Sequence, residues 1–256
     1  MSRITDSIPV EHLLAKQMKM WEVKRKISKK GQGEIPAEEP WQIGYVTISR
    51  LFGSGGVEIA RQVAELLNWQ VFDKELVHKI ATTSKMRKQI IESLDEKRKD
   101  EIKYWVQGII DSDTLSSDRY LKYLIRVILT IADHGKAVII GRGANFILPS
   151  RKGVRVKIHA QEELRVRWLQ EREQTGEKQA IKIIRQEDNR RLAFIHQYFH
   201  RDANDPAGYD LIINTGEICP ELAARLIKET LIGKYETLLG SIPAADLQQT
   251  ADPDRR

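Results

Sequence analysis

The residues with the most chemistry to offer lie between Val46 and Trp69, in the stretch VTISRLFGSGGVEIARQVAELLNW. An apolar run, Val46-Thr47-Ile48, ends in the glycine turn Gly53-Ser54-Gly55-Gly56, and a helix follows with Ile59, Ala60, Val63, Leu66 and Leu67 on one face. This is the layout of a phosphate-binding loop, in which backbone N–H groups and the positive end of a helix dipole face an anion. Glycine at 53, 55 and 56 lets the backbone approach that anion closely. In the pattern GxxxxGK(S/T), a lysine reaches the outer phosphates and a hydroxyl holds Mg²⁺. Here Arg50, Gly55, Gly56 and Val57 stand at the defining positions. Binding through amides survives that replacement, but charge on the outer phosphates must come from Arg50 or from arginines elsewhere. A metal would have to be held by substrate phosphates, water and Ser54 or Glu58.

Two further groups can do chemistry. Arg142, in Gly141-Arg142-Gly143, leaves a buried apolar run between two glycines, a placement that packing does not explain. The stretch from Gln161 to Pro206 is rich in arginine, including Arg165, Arg185, Arg190, Arg191 and Arg201. Singly, these read as a solvated helix face; as a group they can fork onto phosphate oxygens. Within it, Arg185 and Arg191 lie three residues either side of Asp188, a spacing at which local ion pairs can form on one helix. Phe194, Tyr198 and Phe199 repeat at helical spacing and read as packing.

The elements that must position these groups alternate. Strands are predicted at Tyr45 to Ile48, Gln70 to Phe72, Ala137 to Ile140, Val154 to Ile158 and Asp210 to Ile213, most of them continuous apolar runs suited to a sheet covered on both faces. Only the fourth alternates, with Arg155 and Lys157 between Val154, Val156 and Ile158, which predicts a place nearer the sheet edge. Helices fill the gaps, one of them carrying Leu121, Leu124, Ile125, Ile128 and Ile131. The pattern predicts a parallel α/β sheet. Two connections, about 73–136 and about 161–206, exceed a simple crossover and predict helical insertions.

Composition bounds the function classes. With 256 residues, 41% hydrophobic, the chain can bury one sizeable core, and no apolar run approaches a membrane span. The N-terminus lacks the apolar centre of a signal peptide, so a cytoplasmic location is expected. The single cysteine, Cys219, excludes an internal disulfide and a cysteine-built zinc site. Net charge of +6 points to an anionic partner.

Taken in order, VTISRLFGSGGVEIA, VFDKELVHKIA, AVIIGRGANFILP and DNRRLAFIHQYFHRDANDPAGYDLIINTGEI resemble the cytidylate kinase-like family of P-loop proteins, over about residues 43 to 232. The resemblance implies a P-loop three-layer α/β/α fold with a five-stranded parallel sheet, a helical monophosphate-binding insertion and a helical lid. In that family the loop ordinarily reads SRxFGSGG without lysine, and often has arginine where Val57 stands here. It implies ATP and Mg²⁺ as cofactors and nucleotides as substrates. Donor phosphates fall to Gly53, Ser54, Gly55 and Gly56, and the donor base lies near Asn214 and Thr215. Asp73, Lys79 and Arg142 fall at the acceptor monophosphate, with a helix cap as the other reading of Asp73 and a polar turn as that of Asn214 and Thr215. Arg50, Arg142, Arg185, Asp188 and Arg191 are the catalytic set.

The expected organisation is an N-terminal amphipathic helix and linker (1–42), a kinase-like domain (43–235) and a flexible tail (236–256). Within residues 9 to 30, Val10, Leu14, Met18 and Trp21 form an apolar stripe ahead of a basic run from Lys24 to Lys30. Packing on the core or on a second copy of the chain is the expectation, which allows a homo-oligomer; nucleic-acid and membrane contacts are not expected. Three functions follow: ATP-dependent phosphorylation of CMP or a related monophosphate, nucleotide sensing without transfer, and nucleic-acid binding through the basic helix.

Overall fold

The computed structural model describes residues 14–15, 17–22, 44–111 and 118–240. Strands β1 (Tyr45–Arg50), β2 (Gln70–Phe72), β3 (Ala137–Ile140), β4 (Gly153–His159) and β5 (Leu211–Asn214) form one sheet in the order β2-β3-β1-β4-β5. All four pairings are parallel, with Tyr45 opposite both Ala137 and Gly153. Such a sheet requires crossovers packed over its faces, and the helices supply them. This is a P-loop α/β/α fold.

On one face lie α1 (Gly56–Leu67) and α9 (Pro220–Gly240). Ile59, Val63 and Leu67 of α1 and Ile227 and Leu231 of α9 cover Val46, Ile48, Val138, Val154 and Val156. Each such side chain contributes roughly 1.5–3 kcal/mol when buried. α1 stops at Asn68, in the left-handed conformation (φ 53°), whose N–H returns to the Ala64 and Glu65 carbonyls. α9 continues through 240, so 236–240, assigned to the tail by sequence, are helical.

The other face is covered by the first long connection, which forms α2 (Lys74–Thr82), α3 (Ser84–Glu92), α4 (Glu96–Asp111) and α5 (Arg119–His134). The apolar positions of α5 predicted from spacing, Leu121 to Ile131, are fully buried. Asp118 caps this helix by accepting from Tyr120 and Leu121 N–H groups. Leu14 and Trp21 join the same core, with the Trp21 ring stacked 3.8 Å from that of His134. Leu14 and Trp21 therefore pack on the body of the chain; the basic run 24–30 and the tail 241–256 lie outside the described residues.

After β3 come the short α6 (Ala144–Ile147) and β4; the second long connection forms α7 (Glu162–Glu173) and α8 (Glu177–Phe199). β4 lies between β1 and the edge strand β5, one place in from the sheet edge. Its two cations are tolerated because each finds partners. Arg155 pairs with Asp210 at 2.9 Å, and Lys157 Nζ donates to the Ala203 carbonyl and Asn204 Oδ1. Among the described residues no helix is long and apolar enough to cross a membrane.

Candidate functional site

β1 ends at Arg50, and the loop that follows is tied down from three sides. Leu51 N–H donates to the Ile158 carbonyl at 3.0 Å and Ser54 N–H to the Leu51 carbonyl at 3.4 Å. Gly53 and Gly55 take left-handed conformations, φ 80° and 75°, which a side chain would strain. Gly55 caps α1 without a side-chain bond, so the first N–H groups of that helix are left for an anion. Gly56 is needed for a different reason: a Cβ there would sit 2.7 Å from Arg50 Cβ.

Ser54 does not serve the metal role considered for it. Its buried hydroxyl lies 2.9 Å from the Leu51 carbonyl and 3.3 Å from that of Ile158, turned into the loop's own backbone. Glu58, the other suggestion, is exposed and faces Arg61 at 3.8 Å. Thr215 Oγ1 reaches the Ser54 carbonyl (2.9 Å) and that of His159 (3.1 Å), and Asn214 Oδ1 accepts from Gly216 N–H. Thr215 thus fastens the glycine loop to the end of β5, while Asn214 shapes the turn that follows.

Opposite the loop, Gly141, Arg142 and Gly143 have φ of 74°, 55° and 69°. Three consecutive left-handed residues make a sharp turn off β3, and for Arg142 the conformation costs roughly 1–2 kcal/mol. Neighbours enforce it: a Cβ on Gly141 would meet Arg50 Nη1 at 2.5 Å, and one on Gly143 would meet the buried Phe199 ring at 2.3 Å. Arg142 Nε donates to the Lys74 carbonyl (3.3 Å), and its guanidinium carbon lies 5.2 Å from the Phe194 ring centroid.

α8 closes over the loop. Asp188 accepts from Phe52 N–H at 2.7 Å and from Arg165 of α7 at 2.6 Å, while Arg165 also donates to the Phe52 carbonyl. Arg191 donates to the Arg50 carbonyl at 2.9 Å and stands over the Phe52 ring. The local pairing expected on α8 is thus corrected: Asp188 is taken by α7 and the loop, which offer a buried partner and a backbone donor. Arg185 points elsewhere, paired with Glu162 at 2.8 Å with most of its side chain exposed.

The result is a cleft of about 140 Å³ whose walls include Arg50, Arg142, Lys157, Arg191 and Asn145. Burial, and then the like charges of Arg191 and Arg142, push the Arg50 pKa down to about 9 despite Asp73 and Glu75 nearby. Burial also lowers Arg191. The Nε atoms of both are buried without a partner. No carboxylate lies within ion-pair distance of Arg50, Arg142, Lys157 or Arg191 among the described residues. Converging cations outside ion-pair reach of a carboxylate give the cleft a chemistry suited to an anion.

Of the acceptor-side residues, Asp73 caps α2 by accepting from Leu76 N–H at 2.8 Å, the helix-cap reading, while still contributing to the field at Arg50. Lys79 is exposed on α2, and it is Lys74 that lines the cleft. Sequence reasoning missed Lys74, Asn145 and Lys157, and named Arg165 only within the arginine-rich stretch. For Lys157 the signal was present, as one of two cations alternating with apolar residues in β4, but it read as a marker of the strand's place in the sheet. Cys219 is exposed at the start of α9, its carbonyl accepting from Ala223 N–H.

The profile of the cytidylate kinase-like family matches residues 45–217. The chain belongs to that family. The matched span holds the glycine loop, the Gly141 to Gly143 turn, both lid helices and Thr215. No curated protein matches the chain in sequence. Among solved structures, an uncharacterized protein from Eubacterium ventriosum ATCC 27560 aligns with TM-score 0.58 at 23% identity, over 73% of this chain and 97% of that one. Shikimate kinase from Acinetobacter baumannii, in complex with shikimate, aligns with TM-score 0.40 at 13% identity, over 74% of this chain and 93% of that one. Shikimate kinase from Bacteroides thetaiotaomicron gives 0.36 at 15%, over 77% and 98%. At these identities the first likeness bears on fold alone. This member of the cytidylate kinase-like family therefore has a nucleotide-kinase-like fold, with Gly56 and Val57 where the loop pattern has lysine and Ser/Thr.

Proposed function

We propose that the protein is a nucleoside monophosphate kinase-like phosphotransferase, moving the γ-phosphoryl of ATP to CMP or a related pyrimidine monophosphate. The observation that carries this reading is the convergence of Arg50, Arg142 and Arg191, from β1, the β3 turn and α8, on one cleft beside the glycine loop. Phosphoryl transfer to a phosphate acceptor asks mainly for positioning and charge neutralisation, since the acceptor is itself an anionic nucleophile. In this reading the Gly53–Gly56 amides hold the donor phosphates. Arg50 and Arg191 face the transferred group in place of the loop lysine, and Arg142 holds the acceptor phosphate. Asp188 and Arg165 act at one remove, keeping α8 on the loop.

A Mg²⁺ held by the protein itself does not fit the donors present. The Ser54 hydroxyl is turned inward, and among the described residues no group of three His, Cys, Asp or Glu could bind a metal. A metal arriving on ATP would supply charge neutralisation from the nucleotide's own phosphates.

The second reading, nucleotide binding without transfer, is favoured by Val57 where the family often has arginine, with 40% of its surface exposed. A coupled assay with ATP over the common nucleoside monophosphates separates the two. Transfer to a pyrimidine monophosphate supports the first, and ATP binding with no transfer to any acceptor supports the second.

A further inference from the structure

The arginine trio leaves part of the cleft unexplained. Toward β4 the wall is formed by Lys157, Asn145 and Asn204. Lys157 is only 9% exposed and emerges from a strand with a neighbour on each side. Its ammonium donates to the Ala203 carbonyl (2.7 Å) and Asn204 Oδ1 (2.8 Å), both uncharged, and stands 5.3 Å from the Tyr209 ring centroid. An ammonium has three N–H donors, so one remains. Asn145 is 6% exposed; its side chain faces the Tyr209 hydroxyl, but Nδ2 makes no well-formed hydrogen bond.

The plainer account is that Lys157 only ties residues 203–204 to the sheet. That accounts for two of its bonds, but not for the Asn145 amide, which should cost free energy where it stands. A water molecule could satisfy Asn145, but it would leave a buried cation that has no ion pair in a cleft shared with three arginines. The unspent groups here are all donors: Asn145 Nδ2, the third Lys157 proton, and Nε of Arg50 and Arg191. The carboxylates lining the cleft are committed, Asp188 to Arg165 and Glu187 to Arg190 at 3.1 Å, while Asp202, outside the lining, accepts from Asn204 N–H. A donor-only pocket takes a group that only accepts. Burial lowers the Lys157 pKa although Asp202 and Asp188 oppose it.

We propose that Lys157, Asn145 and Asn204 form an oxyanion subsite at the β4 end of the cleft, which takes a phosphate group, free or as the terminal group of the acceptor. This deepens the phosphotransferase reading, on which its use depends, by adding to Arg142 a second wall for the acceptor phosphate.

The test is isothermal titration of inorganic phosphate, CMP and ATP into the wild-type chain, Asn145→Asp and Lys157→Gln. Asn145→Asp keeps the side-chain volume but replaces the unspent donor by a carboxylate beside Lys157. Phosphate affinity is expected to fall at least about tenfold in both variants, the effect of losing a hydrogen bond to a charged group, with ATP affinity within about twofold of wild type. A parallel loss for CMP assigns the subsite to the acceptor's phosphate; loss for phosphate alone assigns it to the free anion. Should Lys157→Gln fail to fold, Asn145→Asp decides. Unchanged phosphate binding in Asn145→Asp, or an equal loss for ATP, overturns the proposal. If ATP does not bind the wild-type chain but phosphate does and Asn145→Asp loses it, the subsite stands and the kinase reading falls.

Discussion

Arg191 donates to the backbone carbonyl of Arg50 at 2.9 Å, so α8 is latched to the end of β1 by a cation placed beside another cation. The latch leaves both guanidinium groups crowded and short of partners, a cost that a bound polyanion would remove.

That cost is measurable at Arg50. Burial lowers its pKa in the folded chain to about 9, below its value in the unfolded chain, so the unfolded chain holds the proton more tightly. Stability is therefore penalised in full below about pH 9 and recovers as pH rises from there toward the unfolded pKa. Arg50→Met should stabilise the unliganded protein at neutral pH by about 1–4 kcal/mol, the range seen when buried charge gives way to well-packed apolar groups. The same change should abolish ATP binding. Urea titrations at pH 7 and pH 10 check both points: the gain should shrink at the higher pH, and a destabilised variant at pH 7 would count against the assignment.

Asp188 is predicted to hold the lid rather than touch the reacting atoms. Asp188→Ala leaves Arg165 buried without its carboxylate, and should destabilise by roughly 3–5 kcal/mol. Amide exchange at Phe52, whose N–H Asp188 accepts, should quicken more than exchange in α5. Equal change in both would mean that the residue only supports the fold.

At Arg142, two substitutions should move binding and stability in opposite directions. Arg142→Ala keeps the left-handed strain (φ 55°) and removes the cation; Arg142→Gly removes both. Both should weaken CMP binding at least about tenfold, while Arg142→Gly should be more stable than Arg142→Ala by about 1 kcal/mol. Thermal melts with and without CMP resolve the two effects.

The three glycine-loop positions should respond differently. Gly55→Val forces a branched side chain to φ 75° and should abolish ATP binding, although open space surrounds the position. Gly56→Ala should weaken binding by displacing Arg50, whose Cβ lies 2.7 Å from the added methyl. Val57→Arg restores the family's frequent residue and should leave ATP binding intact while raising phosphoryl transfer. Calorimetry with the kinase assay alongside reads all three.

Much of the fold was legible because buried parallel strands are continuous apolar runs, and the strand limits at Gln70–Phe72 and Ala137–Ile140 coincide with those read from sequence. The glycine loop and Arg142 were legible for a related reason, glycines flanking a strand end. What stayed hidden depends on distance in three dimensions. Asp188 pairs with Arg165, twenty-three positions away, rather than with its helix neighbours. Lys157 faces Ala203 and Asn204 from a strand whose order in the sheet no local pattern reveals. Lys79 and Lys74 share one helix, and only the packed structure shows which of them lines the cleft.

The central claim is transfer of a phosphoryl group from ATP, and the most direct measurement is ³¹P NMR of the wild-type chain with ATP, Mg²⁺ and CMP. The account predicts slow, matched appearance of ADP and CDP, absent when CMP is omitted and lost in Arg142→Ala. ATP bound but unchanged with CMP and with each of the other common monophosphates would contradict it, and would leave a nucleotide-binding protein that does not transfer.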